Sequence, residues 1–258
     1  MPIPNPARQW NPDLDRLTPI GLLHTCFRQR FAIPRQAGLA PEAPGELRIL
    51  PPFDQPDAFR GLQGFSHLWL IVLFHDNRGR GWKPLIRPPR LGGARKVGVF
   101  ASRSPLRPNP IGLSAVVLES LHLAPGDVRL RLSGVDLLDG TPVLDIKPYL
   151  PYADSLPTAT GGFAPNAPMA SIRVIFTPEA RQALERAECA GQRDLTALVR
   201  RLVALDPRPA YLAHTGHRDH FGMRLGDLDI RWRITDDLAT LYSVEFAPPE
   251  LGSCLPVV

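Results

Sequence analysis

The chain is arranged around one basic stretch: Lys96-Val97-Gly98-Val99-Phe100-Ala101-Ser102-Arg103-Ser104-Pro105-Leu106-Arg107-Pro108-Asn109-Pro110-Ile111-Gly112-Leu113. Alternating apolar residues at its start and the apolar run that follows predict a strand, a rigid polar loop and a second strand. Its prolines fix φ, so the loop displays the guanidinium groups of Arg103 and Arg107 at low entropic cost. Such a loop suits a carboxylate or a phosphate, and the alternative is an ordinary surface turn with solvated arginines.

The charge around this stretch favours the first interpretation. Residues 77–118 contain no acidic residue, although the whole chain has 25 Asp and Glu against 30 Lys and Arg and a net charge of only +5. Basic residues are concentrated there: Arg78, Arg80, Lys83, Arg87, Arg90, Arg95, Lys96, Arg103 and Arg107. A polyanionic partner is therefore plausible on local charge rather than on total charge.

The flanking residues predict a mainly β fold. The run 65–75 is the most apolar in the chain, and its β-branched and aromatic residues predict a strand buried on both faces. Residues 113–120 and 128–133 predict two strands joined as a hairpin by the turn 124–127. Many short strands without long helices between them indicate an antiparallel barrel or sandwich.

Composition divides the chain into four segments. Residues 1–16 predict a mobile N-terminal arm, and residues 17–156 hold the predicted barrel. Residues 157–171 are rich in Pro, Gly and Ala, which is typical of a linker. Residues 172–258 predict a small α+β domain that begins with two amphipathic helices, at 178–190 and 194–205, and continues as short strands.

In the last domain, one strand carries a basic face. The alternation of Leu228-Asp229-Ile230-Arg231-Trp232-Arg233-Ile234 predicts that Arg231 and Arg233 lie opposite Ile230 and Trp232.

Several functional classes find no support. Three distant cysteines predict no disulfide framework, and no apolar run is long enough to span a membrane, so we expect a soluble cytoplasmic protein. The chain has no GxGxxG or GxxxxGK[ST] nucleotide motif and no GxSxG nucleophile motif. His214, His217 and His220 have spacing compatible with zinc, but Arg218 lies among them and no fourth ligand is evident, so we predict a polar loop and no metal.

Polar residues recur where predicted strands end, which is a common location for binding groups. They are Arg35, Gln36, His75, Asp76, Arg103, Asn109, Asp136, Asp139, Asp145 and Tyr149. Each alone is as well explained as a turn residue; Asp136 and Asp139, for instance, could simply close an Asp-Gly turn.

Six motifs in order along residues 17–156 add a specific resemblance. They are Pro34-Arg35-Gln36, Phe65-Ser66-His67-Leu68-Trp69, Arg87-Pro88-Pro89-Arg90-Leu91-Gly92-Gly93, Gly98-Val99-Phe100-Ala101-Ser102-Arg103-Ser104, Arg107-Pro108-Asn109-Pro110-Ile111-Gly112 and Asp139-Gly140-Thr141-Pro142-Val143-Leu144-Asp145-Ile146-Lys147-Pro148-Tyr149. Together they closely resemble the TsaA-like (TrmO) family of tRNA methyltransferases. Residues 206–211 and Arg231-Trp232-Arg233 also resemble the second domain of its bacterial members.

The resemblance implies a non-Rossmann β-barrel methyltransferase that binds S-adenosylmethionine at or near a homodimer interface. The implied reaction is methylation of N6 of threonylcarbamoyladenosine, next to the anticodon of threonine tRNA; neither DNA nor a membrane is an expected partner. The motifs carry over these cofactor contacts: Pro34, Arg35, Gln36, His75, Asp76, Arg103, Leu113, Asp136, Leu137, Leu138 and Asp139. The family usually has a polar residue after the strand-ending histidine, and Asp76 at that position would only accept hydrogen bonds.

Charge and placement suggest roles for further residues. Asp145 or Tyr149 would accept or orient the substrate proton, while Arg103 and Arg107 would hold a carboxylate of the cofactor or of the threonyl group. Asn109 belongs to the same predicted catalytic set. The predicted RNA contacts are Arg78, Arg87, Arg90, Arg208, Arg231 and Arg233.

Two other functions stay open at this point. A non-catalytic RNA- or nucleotide-binding barrel would explain the basic stretch equally well, but it would need no pocket for a sulfonium donor. A hydrolase would need a metal or a nucleophile that the sequence does not supply.

Overall fold

The structure is a computed structural model, and it describes residues 17–77, 81–93, 95–189, 194–208 and 219–247. It confirms the mainly β fold with a barrel. The predicted arm 1–16, Arg78, His214 and His217 lie outside the described residues. No helix within the described residues is long and apolar enough to cross a membrane.

Six strands close into an antiparallel barrel in the order β1-β2-β7-β6-β3-β8. A short hairpin of β4 and β5 lies apart from it. The strands of this half are β1 (Gly21–Thr25), β2 (Pro44–Ile49), β3 (His67–Leu73), β4 (Leu85–Ile86), β5 (Val97–Gly98), β6 (Ile111–Ala124), β7 (Asp127–Ser133) and β8 (Thr141–Pro148).

The barrel corrects the prediction for the most apolar strand. In β3, Leu68, Leu70 and Val72 are fully buried, whereas Trp69 and Ile71 are only half-buried. The prediction of burial on both faces was wrong, because the strand belongs to a closed barrel and its second face is the outer surface.

The central basic stretch forms less strand than predicted on its N-terminal side. β5 ends at Gly98, and Val99–Ala101 form a 3₁₀ turn that the Ser102 amide closes on the Val99 carbonyl at 3.2 Å. Val99 is 1% exposed, so its side chain anchors this turn in the protein. The predicted hairpin is confirmed, with Ala124 paired to Asp127 at its tip.

Four further strands form a second sheet in the order β10-β11-β12-β9, in which β9 is parallel to β12. β9 was not predicted. Residues 155–171 hold no helix or strand. The elements of this half are α1 (Pro151–Asp154), β9 (Arg173–Phe176), α2 (Pro178–Cys189), α3 (Leu195–Ala204), β10 (His220–Leu225), β11 (Leu228–Thr235) and β12 (Leu238–Phe246).

The two halves share one hydrophobic core. Helix α2 packs on β12 and β9, while aromatic residues from the loop between β1 and β2 pack on β10 and β11. Phe31 and Phe221 both stack on Trp232, with ring centroids 6.2 and 6.1 Å away. The amide of Gly226 donates to the Cys26 carbonyl at 2.7 Å. The β1–β2 loop therefore connects two barrel strands in the sequence, but its residues pack against both halves of the molecule.

Candidate active site

The loop of residues 26–43, between β1 and β2, gathers most of the predicted cofactor residues. On it, Pro34 is buried, while Arg35 and Gln36 are exposed. A guanidinium N–H of Arg103 donates to the Gln36 side-chain carbonyl, and the Gly38 amide donates to the Gly134 carbonyl at 2.9 Å. The 26–43 loop thus connects the basic stretch of residues 96–113 to the loop that follows β7.

Asp136 in the post-β7 loop is the acidic partner of this group. Its Oδ1 accepts a hydrogen bond from Ser114 Oγ at 2.5 Å, and Ser114 is 3% exposed on β6. Burial raises the pKa of Asp136, against the opposing effects of hydrogen bonds from Ser114 and the Ala37 amide and of the Arg103 charge. A carboxylate that faces Arg103 is thereby fixed between β6 and the 26–43 loop.

Two glycines allow this close approach. Gly134 and Gly38 have φ of 70° and 76°, in the left-handed region that favours glycine. A Cβ on Gly134 would lie at an ordinary van der Waals distance of 3.5 Å from the Gly38 backbone, so the backbone conformation, and not the space, favours glycine there. Sequence reasoning missed Ser114 and Gly134; the glycine at a strand end was the available signal.

The other residues of the predicted Asp136–Asp139 segment hold the loop to the barrel. Asp139 accepts a hydrogen bond from the Thr25 amide at 2.9 Å and pairs with Arg28. Leu137 is 5% exposed, and its carbonyl accepts from Thr25 Oγ1 at 3.0 Å. Leu138 is half-buried. In this segment, only Asp136 has a carboxylate beside Arg103, and Asp139 is engaged with β1.

Asp76 is tied to the same 26–43 loop. Arg30 donates through Nε to its carboxylate, and through Nη2 to its carbonyl at 2.9 Å and to Asn77 Oδ1 at 3.2 Å. Asp76 belongs to the 3₁₀ turn His75–Asn77, which follows β3. Arg30 was not predicted from the sequence.

The predicted loop residues Arg107 and Asn109 have structural surroundings of their own. Arg107 Nη1 donates to the Ser102 carbonyl at 2.7 Å and to the Val99 carbonyl at 3.2 Å, and its guanidinium lies 5.7 Å from the centre of the Phe100 ring. Arg107 therefore helps to shape the loop through Nη1, and its contact with a substrate carboxylate stays a prediction. Asn109 is exposed at the far end of the loop.

Asp145, Tyr149 and Leu113 form a second group, on the outer face of the barrel. Leu113 and Asp145 are the two strand partners of Ile71. Asp145 pairs with Lys147 Nζ at 2.9 Å, and the Tyr149 ring lies 5.5 Å from Trp69. Leu113 is 57% exposed. The predicted proton acceptors thus lie on the outer face of the barrel, whereas Ser114, which holds Asp136, is buried.

A basic cavity of about 1260 Å³ adjoins the first group. Arg35, Gln36 and Arg103 line one part of it, and residues 161–168 line another. Further basic lining residues are Lys83, Arg87, Arg90 and Lys96, and none of the described lining residues is acidic. Arg90 donates to the Asn166 carbonyl, so the predicted linker forms part of the wall.

The predicted basic face of the second sheet is present. Arg231 and Arg233 are exposed on β11, while Ile230 and Trp232 on its other face are buried. Arg231 donates two hydrogen bonds to Asp229 Oδ2, at 3.2 and 3.0 Å.

Arg208 has a different setting from these two arginines. Its guanidinium forms a bidentate pair with Asp206, at 2.7 and 2.8 Å, lies 5.8 Å from the Phe221 ring centre and has a side chain only 13% exposed. Arg231 is also paired with an aspartate, but its side chain is 54% exposed, so the Arg208 guanidinium is the less accessible of the two. The RNA contact of Arg208 stays a prediction.

Two family models match this architecture. The model described as the tRNA-methyltransferase O N-terminal domain matches residues 22–155, and the TrmO C-terminal domain matches residues 169–247. The chain belongs to the TrmO family. The first match spans the barrel with both groups of site residues, and the second spans the four-stranded sheet with its helices.

Individual proteins that are similar to this chain support the same family assignment. The tRNA (adenine(37)-N6)-methyltransferase of Escherichia coli is 45% identical over 226 residues, which cover 88% of this chain and 96% of the relative. A Pseudomonas aeruginosa protein named "Putative S-adenosylmethionine-dependent methyltransferase RcsF" is 49% identical over 84% of this chain and 91% of its own length. A crystal structure of TrmO from Pseudomonas aeruginosa superposes with a TM-score of 0.74 at 42% identity, over 89% of this chain and 97% of that one.

Proposed function

We propose that this TrmO protein transfers a methyl group from S-adenosylmethionine to N6 of threonylcarbamoyladenosine, next to the anticodon of threonine tRNA. One observation carries the proposal: Arg35, Gln36, Arg103 and Asp136 converge beside a cavity with a basic lining. The names of the relatives support the reaction class, and the resemblance of the motifs supports the particular nucleoside.

The residues present fit S-adenosylmethionine. The amino-acid end of that cofactor carries one carboxylate and one ammonium group, and its sulfonium adds a second positive charge. Arg35 and Arg103 would hold the carboxylate, and Asp136 would hold the ammonium group. When bound, the cofactor supplies an electrophilic methyl group. A neutral or purely apolar pocket would not meet these charges, whereas this site brings both signs together.

Positioning is the main task of the protein in this reaction. Gln36 orients the Arg103 fork, and Ser114 and the Ala37 amide fix the Asp136 carboxylate, so the site is organised before ligands arrive. The substrate N–H lies between an adenine and a carbamoyl group, which makes it more acidic than an amine. A modest acceptor therefore suffices, and Asp145 or Tyr149 is the proposed acceptor.

We further propose that the protein is a homodimer. On the outer face of the barrel, Ile111 and Leu113 are 39% and 57% exposed, and they lie next to the half-buried Ile71. An exposed apolar patch of this kind is typical of a protein interface. Asp145 is on the same face, so a second copy that covers it would bring the proposed acceptor close to an interface.

The tRNA is proposed to approach the basic cavity, with Arg87 and Arg90 near its phosphates and with Arg231 and Arg233 as a second contact. Support comes from the charge of these surfaces and from the single-stranded character of an anticodon loop. A cytoplasmic location is part of the same proposal.

Cofactor binding tests this function against an RNA-binding module without catalysis. Isothermal titration calorimetry should show that the wild-type protein binds S-adenosylhomocysteine and that Arg103→Leu and Asp136→Asn weaken the binding at least about tenfold, since each removes a charged partner. Arg48→Leu is the matched control, because Arg48 is an exposed barrel arginine paired with Glu46. A wild-type protein without measurable affinity would contradict the proposal and favour the module.

A further inference from the structure

Phe100 is an exposed aromatic ring in an ordered position. It belongs to the 3₁₀ turn Val99–Ala101, and its side chain is 73% exposed, while the neighbouring Val99 is 1% exposed. The turn is therefore anchored on one side of Phe100 and presents the ring on the other. A single exposed apolar side chain is normal on a protein surface, and Phe246 is exposed to a similar extent, so it is the surroundings of Phe100 that carry information.

Arg107 supports one side of the ring. Its guanidinium carbon lies 5.7 Å from the ring centre, within the range of a cation–π contact. The same guanidinium bonds to the Ser102 carbonyl at 2.7 Å and to the Val99 carbonyl at 3.2 Å, so the support is itself held by the loop. Because the ring is already held in place, the Phe100 side chain would lose little entropy when a ligand stacks on it.

Phe100 also lines the basic cavity. The cavity has Lys83, Arg87 and Lys96 in its lining, and no carboxylate among the described lining residues. The half-buried Phe163 belongs to the wall formed by residues 161–168, which Arg90 holds through the Asn166 carbonyl. Aromatic rings among cations are the surroundings that unpaired nucleotides bind, because bases stack on the rings and phosphates meet the cations.

We infer that Phe100 is the stacking platform for one unpaired base of the RNA substrate, with Arg107 beneath the ring and residues 161–168 as a facing wall. The inference rests on the proposed function in one respect, namely that the substrate is an RNA loop. It assigns to the predicted linker a binding role, and to Arg107 the role of support for the ring rather than of a carboxylate clamp.

Fluorescence of 2-aminopurine tests the stacking directly. The base analogue is placed at one position at a time in the loop of a threonine-tRNA anticodon stem-loop, and the RNA is titrated with full-length protein. Stacking on Phe100 should quench the fluorescence at one position. Phe100→Leu should remove that quenching and weaken RNA binding by about 5- to 100-fold, whereas Phe100→Trp should keep both.

Phe246→Leu is the matched control, because Phe246 is 69% exposed at the end of β12 and does not line the cavity. It should behave as wild type. Since Phe100 is exposed, Phe100→Leu should fold normally, and retained quenching in Phe100→Trp separates stacking from a change in fold.

Three results would overturn the inference. Phe100→Leu could bind the RNA as tightly as wild type, it could keep the quenching at the same position, or Phe100→Trp could lose both the quenching and the RNA affinity while it stays folded. In each case, methylation by the wild-type protein would leave the proposed function standing. A wild-type protein that neither binds nor methylates the RNA would remove both.

Discussion

At the scale of single residues, the proposed contact of Asp136 with the cofactor should make cofactor binding depend on pH. Burial raises the pKa of its carboxyl group, so the group takes up a proton at a higher pH than an exposed aspartate does. The ionised form is the one that would hold an ammonium group. We therefore predict that the affinity for S-adenosylhomocysteine falls as the pH is lowered through this raised pKa, in calorimetric titrations from about pH 8 to about pH 5.

Two variants separate this effect from general acid sensitivity. Asp136→Asn should bind weakly with a flat pH profile. Ser114→Ala removes a hydrogen bond that lowers the pKa of Asp136, so its loss of affinity should begin at a higher pH than in wild type. A pH profile for Asp136→Asn that matches wild type would show that another group is responsible.

Cys26 provides a second residue-scale prediction. Burial, as the largest cause, raises the pKa of its thiol to about 12, so almost no thiolate forms at neutral pH. We predict that iodoacetamide leaves Cys26 unmodified in the native protein and labels it after denaturation, as measured by peptide mass mapping. Cys189 is exposed and serves as the internal control. Equal labelling of Cys26 and Cys189 in the native protein would contradict the raised pKa of the Cys26 thiol.

At the scale of elements, the 26–43 loop lies between the second sheet and the site. Phe31 stacks on Trp232, which is fully buried, and the same loop carries Gln36 to Arg103. Trp232→Ala should lower the free energy of unfolding by about 3–5 kcal/mol and also weaken cofactor binding, because the loop loses its support. Chemical denaturation and calorimetry measure the two effects.

Leu241→Ala is the control for this prediction. Leu241 is equally buried in the same sheet, but on β12, against which α2 packs. It should destabilise the protein by about 2–5 kcal/mol while the folded protein keeps its cofactor affinity. If both variants bound the cofactor alike, the second sheet would have no positioning role.

Elements with a local pattern were predictable from the sequence. The alternating run 228–234 predicted β11, which spans Leu228–Thr235 in the structure. β9 was missed, since four residues that become a strand only by pairing with β12 leave little periodic pattern. For the same reason, the barrel could be predicted as a class but its strand order could not.

The residues of the candidate site were predictable from the sequence where they belong to motifs. They were not predictable where they meet only through contacts between distant positions. Gln36 and Arg103 came from separate motifs that resemble one family, and the structure brings them together. The pair of Arg30 with Asp76 joins positions 46 apart, and that of Arg28 with Asp139 joins positions 111 apart. No local sequence pattern encodes such pairs. The structure was therefore needed to show that the 26–43 loop brings the residues of the candidate site together.

At the scale of the whole molecule, the basic residues concentrated in residues 77–118 should make RNA binding depend on the salt concentration. Each phosphate contact releases counterions, so the logarithm of the association constant should fall linearly with the logarithm of salt concentration. Arg87→Ala and Lys96→Ala, which change two cavity-lining residues, should each lower the slope by about 0.7–0.9 in filter binding.

Arg48→Ala should leave the slope unchanged, because Arg48 lies outside the cavity and already pairs with Glu46 at 2.7 Å. A wild-type plot without slope would exclude phosphate contacts altogether. A slope that falls equally in all three variants would show that net charge, and not the cavity, attracts the RNA.

We propose that the whole molecule is a methyltransferase for one modified nucleoside. The most direct test is incubation with labelled S-adenosylmethionine and threonine tRNA that either carries or lacks the threonylcarbamoyl group, followed by nucleoside mass spectrometry. We predict that the methyl group appears on threonylcarbamoyladenosine and on no nucleoside of the unmodified tRNA. Tight tRNA binding without methyl transfer to either form would contradict the claim, and the protein would then be an RNA-binding barrel.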